Sequence, residues 1–78
     1  MSDLDLLKRV SLLAILKKKD SETIDDIMEM LIDTNMFLSR DEAKEVFREL
    51  RDSNYIVGNT LSMIGLIEAK KAEEEFKQ

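Results

Sequence analysis

The sequence predicts a mainly α fold: three helices, a short two-stranded β-hairpin and a C-terminal fourth helix. Three observations carry this prediction. Proline is absent from the 78 residues and glycine occurs only twice, so little interrupts helical stretches. Apolar residues recur at three- and four-residue spacing along most of the chain. The exception is Tyr55-Ile56-Val57-Gly58-Asn59-Thr60-Leu61, where two β-prone segments flank a two-residue turn signal. No linker, repeat or low-complexity segment breaks the pattern, so residues 1–78 read as one domain.

The first helix is expected from Asp3 to Lys18 or Lys19. Ser2 is placed to cap it. Asp3 and Asp5 suit the positive end of its dipole, and Lys17, Lys18 and Lys19 the negative end. Leu4, Leu6, Leu7, Val10, Leu12, Leu13, Ala14, Ile15 and Leu16 reach most of the way round it. Such a helix is either central to its domain or shared with a second copy. A second helix is expected from Glu22 to about Thr34, capped by Ser21 and stopped by Asn35. Its apolar stripe is Ile24, Ile27, Met28 and Leu31, and its opposite face is Asp25, Asp26, Glu29 and Asp33.

Met36, Phe37 and Leu38 form an apolar connection. Ser39 followed by Glu42 is a capping box, which starts a third helix running to about Asp52 and ending at Ser53-Asn54. The hairpin turns at Gly58-Asn59. Ser62 then caps a fourth helix with the stripe Gly65, Ala69, Ala72 and Phe76. Met28, Met30, Met36 and Met63 are expected to fill gaps in the core.

The composition points away from catalysis. Without cysteine there is no disulfide and no thiolate metal site. Without histidine the commonest general base and transition-metal ligand is missing, and no serine or threonine has an obvious activating partner. No glycine-rich loop is present to cradle a phosphate. Asp25 and Glu29 lie on a straight helix rather than in the converging loop of a calcium site. A non-enzymatic chain with no cofactor and no metal is therefore expected. The run Leu12–Leu16 is too short for a signal peptide or membrane span, and Asp3 and Asp5 stand where a basic leader would be. A cytoplasmic location away from membranes is the expectation.

The order helix, helix, helix, hairpin, helix has a further likeness. Tyr55-Ile56, the tight turn, then Leu61-Ser62-Met63-Ile64-Gly65 and Ala69 resemble the end of many small winged-helix (winged helix-turn-helix) regulators. The detailed likeness covers about residues 39 to 78. It implies a winged-helix-like domain in which the third helix is the recognition helix, Gly58-Asn59 is the wing turn, and duplex DNA is the partner. Met36 to Leu38 would supply the short first strand. The wing is limited to two residues and carries no basic side chain.

On the third helix, with Arg40 at zero, Arg51, Lys44 and Arg48 fall at roughly 20°, 40° and 80°. This basic stripe, with Lys17, Lys18 and Lys19, is the candidate DNA contact. The same cations can instead pair with nearby acids, such as Arg48 with Glu45 or Asp52. Asp41, Glu45 and Asp52 occupy the arc opposite the core, and the net charge is −5, both unfavourable to a polyanion. The alternative is a protein-interaction module in which Asp25, Asp26, Glu29 and Asp33 meet a basic protein partner. Met63 and Ile67 lie away from the helix-4 core stripe and are the candidate homodimer interface.

Overall fold

A computed structural model describes residues 3–76. It contains α1 (Asp3–Leu16), α2 (Ile24–Asp33), α3 (Arg40–Asp52), β1 (Ile56–Val57), β2 (Thr60–Leu61) and α4 (Met63–Phe76). The predicted four helices and hairpin are all present. The strands pair antiparallel, Ile56 with Leu61 and Val57 with Thr60. Gly58 takes a φ of 62° while Asn59 keeps a negative φ. That is the pattern of a type II′ hairpin turn, where glycine is required first.

Local chemistry sets the helix ends. The start of α2 lies two residues beyond the expected one, because Thr23 rather than Ser21 is its cap. Thr23 Oγ1 accepts from the Asp26 N–H, and the Asp26 carboxylate accepts in return from the Thr23 N–H. The helices α2 and α3 end alike. Asn35 and Asn54 adopt φ values of 63° and 64°. Met36 N–H donates to Leu31 O, and Tyr55 N–H to Leu50 O, closing both helices as Schellman motifs. At α3, Ser39 Oγ accepts from the Glu42 N–H as expected, but the Glu42 carboxylate accepts from Leu38 N–H instead of Ser39 N–H. Ser62 Oγ accepts from Gly65 N–H at 3.1 Å and starts α4.

The first helix is shorter than expected. Its lysines stand just beyond it: Lys17 N–H still bonds Leu13 O, whereas Lys19 N–H turns to the Glu22 carboxylate. Ser2 lies outside the described residues. The segment Met36–Leu38 forms no strand. Phe37 turns inward, edge-on to Phe47 at 6.4 Å, while Leu38 points to solvent.

One hydrophobic cluster joins Leu12, Ile15, Ile24, Ile27, Leu31, Phe37, Ala43, Val46, Phe47, Leu50, Ile56 and Ala69. The α1 helix is central. It packs on every other helix and on β2, most extensively on α4. This accounts for most of its apolar circumference, although Leu6 remains exposed. Gly65, Ala69 and Ala72 are buried as expected, but Phe76 is 44% exposed, so the stripe of α4 stops one turn early. Met30, Met36 and Met63 are exposed rather than core-filling, because the small residues of α4 and the aliphatics of α2 already close the core. Ser11 is fully buried and its Oγ has no hydrogen-bond partner.

Candidate functional site

The third helix divides as its sequence requires. Ala43, Val46, Phe47 and Leu50 are buried, and Arg40, Lys44, Arg48 and Arg51 are exposed together along one side. These four cations and Phe47 form one wall of an open groove of about 450 Å³. Asp25, Met28 and Glu29 of α2 form the other. The groove therefore has a basic wall and a partly acidic one.

Three of the four cations are engaged. The Arg40 guanidinium straddles the Glu29 carboxylate with two hydrogen bonds, one of them Nη2 to Oε1 at 3.0 Å. Hydrogen bonding from Arg40 is the largest influence on Glu29 and holds its carboxyl below the usual carboxylate range. Glu29 in turn raises the pKa of Arg40. Arg48 pairs with Glu45 at 3.1 Å, one turn back on its own helix. Arg51 Nη1 donates to the Gly58 carbonyl at 3.1 Å. Lys44 carries no hydrogen bond or ion pair, though its charge also lowers the Glu29 pKa. Asp41, Glu45 and Asp52 are exposed beside this face, so the acidic arc is as near to solvent as the basic one.

The structure does not bring all the expected DNA-contact residues together. Lys17, Lys18 and Lys19 follow α1, and Lys18 borders a different hollow, with Ile15, Leu16, Asp20, Thr60, Leu61 and Leu66. The hairpin turn lies near α3 but does not stand free. Asn59 Oδ1 accepts from the Ile24 N–H at 2.8 Å, and its Nδ2 donates to Glu22 O at 3.2 Å. These contacts span 35 and 37 positions and leave no periodic signature in the sequence. The Arg40–Glu29 pair was hidden in the same way, because sequence spacing reveals pairs only within one helix.

The acidic candidates on α2 have separate duties. Asp26 is part of the cap and Glu29 holds Arg40, whereas Asp25 and Asp33 are exposed. On α4, Met63 is 81% and Ile67 51% exposed, with Ile64 and Leu66 also exposed. Met63 and Ile67 thus do not tuck beneath the hairpin. No group of three or more metal-ligating side chains occurs among the described residues, and no helix there is long and apolar enough to cross a membrane. The chain matches no protein-family model, no curated protein and no solved structure.

Proposed function

We propose that the chain is a non-enzymatic binding module, a small cytoplasmic regulator of winged-helix type that holds duplex DNA with the basic face of α3. The observation that carries this reading is the shared exposure of Arg40, Lys44, Arg48 and Arg51 along one groove wall. Their present partners do not forbid it. Exposed ion pairs contribute little net stability, so a phosphate can displace them. With the turn fastened to the body, α3 alone makes the contact.

Titration with random-sequence duplex at two salt concentrations tests this. Three or four phosphate contacts should weaken binding by roughly 40- to 150-fold between about 50 and 200 mM salt. Lys44→Glu and Arg48→Glu should each lower affinity far more than Lys70→Glu on the exposed side of α4. Equal losses at all three positions would reduce the reading to diffuse attraction.

The fastened turn and the net charge of −5 favour a second reading, in which the exposed part of the acidic α2 face meets a basic protein partner. Absence of duplex binding at low salt would select it. Under either reading we propose a homodimer joined through α4, supported by the exposure of Met63 and Ile67. Sedimentation equilibrium should give a dimer that Ile67→Lys separates with its helical signal unchanged. A 9.0 kDa species persisting to millimolar concentration would exclude it.

A further inference from the structure

Both residues of the hairpin turn are tied to helices, Asn59 to the start of α2 far back in the sequence and Gly58 to the end of the preceding α3. The first donors of a helix have no partner inside it. At α2, Thr23 and Asp26 satisfy each other and leave the N–H of Ile24 over. Asn59 takes that N–H with Oδ1 and holds the Glu22 carbonyl with Nδ2, so one amide side chain bridges the entry to α2. The neighbouring turn carbonyl, that of Gly58, accepts from Arg51 at the end of α3. The two-residue strands are anchored on α1, α3 and α4, but at the tip nothing lies within 4 Å of where a Gly58 side chain would project.

We infer that the hairpin turn is a clasp coupling the basic face of α3 to the first turn of α2. An anion that draws Arg51 away from the Gly58 carbonyl loosens the turn, and with it the Asn59 bonds to α2. The exchange is favourable for Arg51, because a guanidinium bonds a phosphate more strongly than a neutral carbonyl. Asp25 and Asp26 directly follow Ile24, so occupation of α3 is felt at the start of the acidic face. By linkage, a ligand on that face alters anion binding on α3 by the same factor. The inference rests on the DNA reading only for the identity of the anion.

Native-state hydrogen exchange on the full chain tests the clasp, with the Ile24 N–H as reporter and the Val46 N–H in the core of α3 as reference. Asn59→Ala should speed Ile24 exchange at least about fivefold relative to Val46, since it removes the bond to the Ile24 N–H, worth about 1 kcal/mol by itself, together with the bond to the Glu22 carbonyl. Arg51→Gln should speed the same amide about twofold or more, although Arg51 never touches it. Random-sequence duplex at low salt should move wild-type Ile24 towards the Arg51→Gln value. Unchanged Ile24 exchange in Arg51→Gln would overturn the clasp, and so would duplex binding that leaves Ile24 unchanged. If no duplex binds, the DNA reading fails, while Arg51→Gln still decides the clasp. Global unfolding of Asn59→Ala would show at Val46, and the exposed Arg51 substitution would then carry the test.

Discussion

Replacing Gly65 by alanine should destabilise the chain by about 2 kcal/mol, although alanine is normally the better helix former. A Cβ on Gly65 would lie 2.0 Å from the Tyr55 carbonyl oxygen, 2.8 Å from its carbon and 3.0 Å from the Tyr55 Cα. All three atoms are backbone, so no rotamer change relieves the contact. The start of α4 must move away, against the Ser62 N–H bond to the same Tyr55 oxygen at 2.9 Å. Overpacking of this kind costs about 1–3 kcal/mol, and the hydrogen bond adds about 1. The helix propensity of alanine returns roughly 1. For a domain of this size the net loss corresponds to a fall in Tm of roughly 8–16 °C. Thermal and urea unfolding followed by circular dichroism would measure it. Gly58→Ala is a useful comparison, since its Cβ meets nothing and only its positive φ is penalised, by about 1–2 kcal/mol. If Gly65→Ala raised stability as in an open helix, the close approach of α4 to Tyr55 would be wrong.

Three further outcomes are expected. Thr23→Ala should cost about 1 kcal/mol and Ser21→Ala less than about 0.5 in urea unfolding, and the reverse order would return the cap to Ser21. Ser11→Ala should stabilise by about 1 kcal/mol because it removes an unbonded buried hydroxyl, whereas a loss would mean that the hydroxyl is bonded in solution. The lowered Glu29 pKa contributes stability that is complete above the ordinary value of 4.5 and disappears as pH falls through the folded-state value. Melting from neutral pH down into acid should therefore show a shallower decline for Arg40→Gln than for wild type, and parallel declines would deny the pair.

What the sequence made legible was local. Asn35, Asn54 and Ser39 marked helix ends because a left-handed stop or a hydroxyl cap acts within a few residues of itself. Ser21 was misread because two hydroxyl residues precede α2, and only the aspartate three positions after Thr23 decides between them. The core face of α3 followed from its period. The partners of its basic face did not, since Arg40 and Arg51 reach atoms on other elements. Exposure on α4 was legible as an apolar side with no place in the core stripe. The segment Met36–Leu38 shows the limit of the family likeness: the likeness implied a short first strand there, yet no strand forms and Phe37 alone turns inward.

The packing of α1 against α4 sets the order in which a nascent chain can fold. The face of α1 around Leu12 and Ile15 belongs to a core completed by Ala69, which lies beyond α2, α3 and the hairpin in sequence. Synthesis from the N-terminus delivers α1 well before α4, its largest partner. Until α4 emerges, that leucine-rich face can be shielded only in part, by α2 and α3, and it is a surface on which chaperones or other nascent chains can settle. Docking α4 on α1 closes a long loop, whose entropy must be met before that contact contributes anything. Joining the ends of α4 and α1 by a short flexible linker and opening the chain between α2 and α3 would make that contact local, and refolding should quicken even if stability did not change.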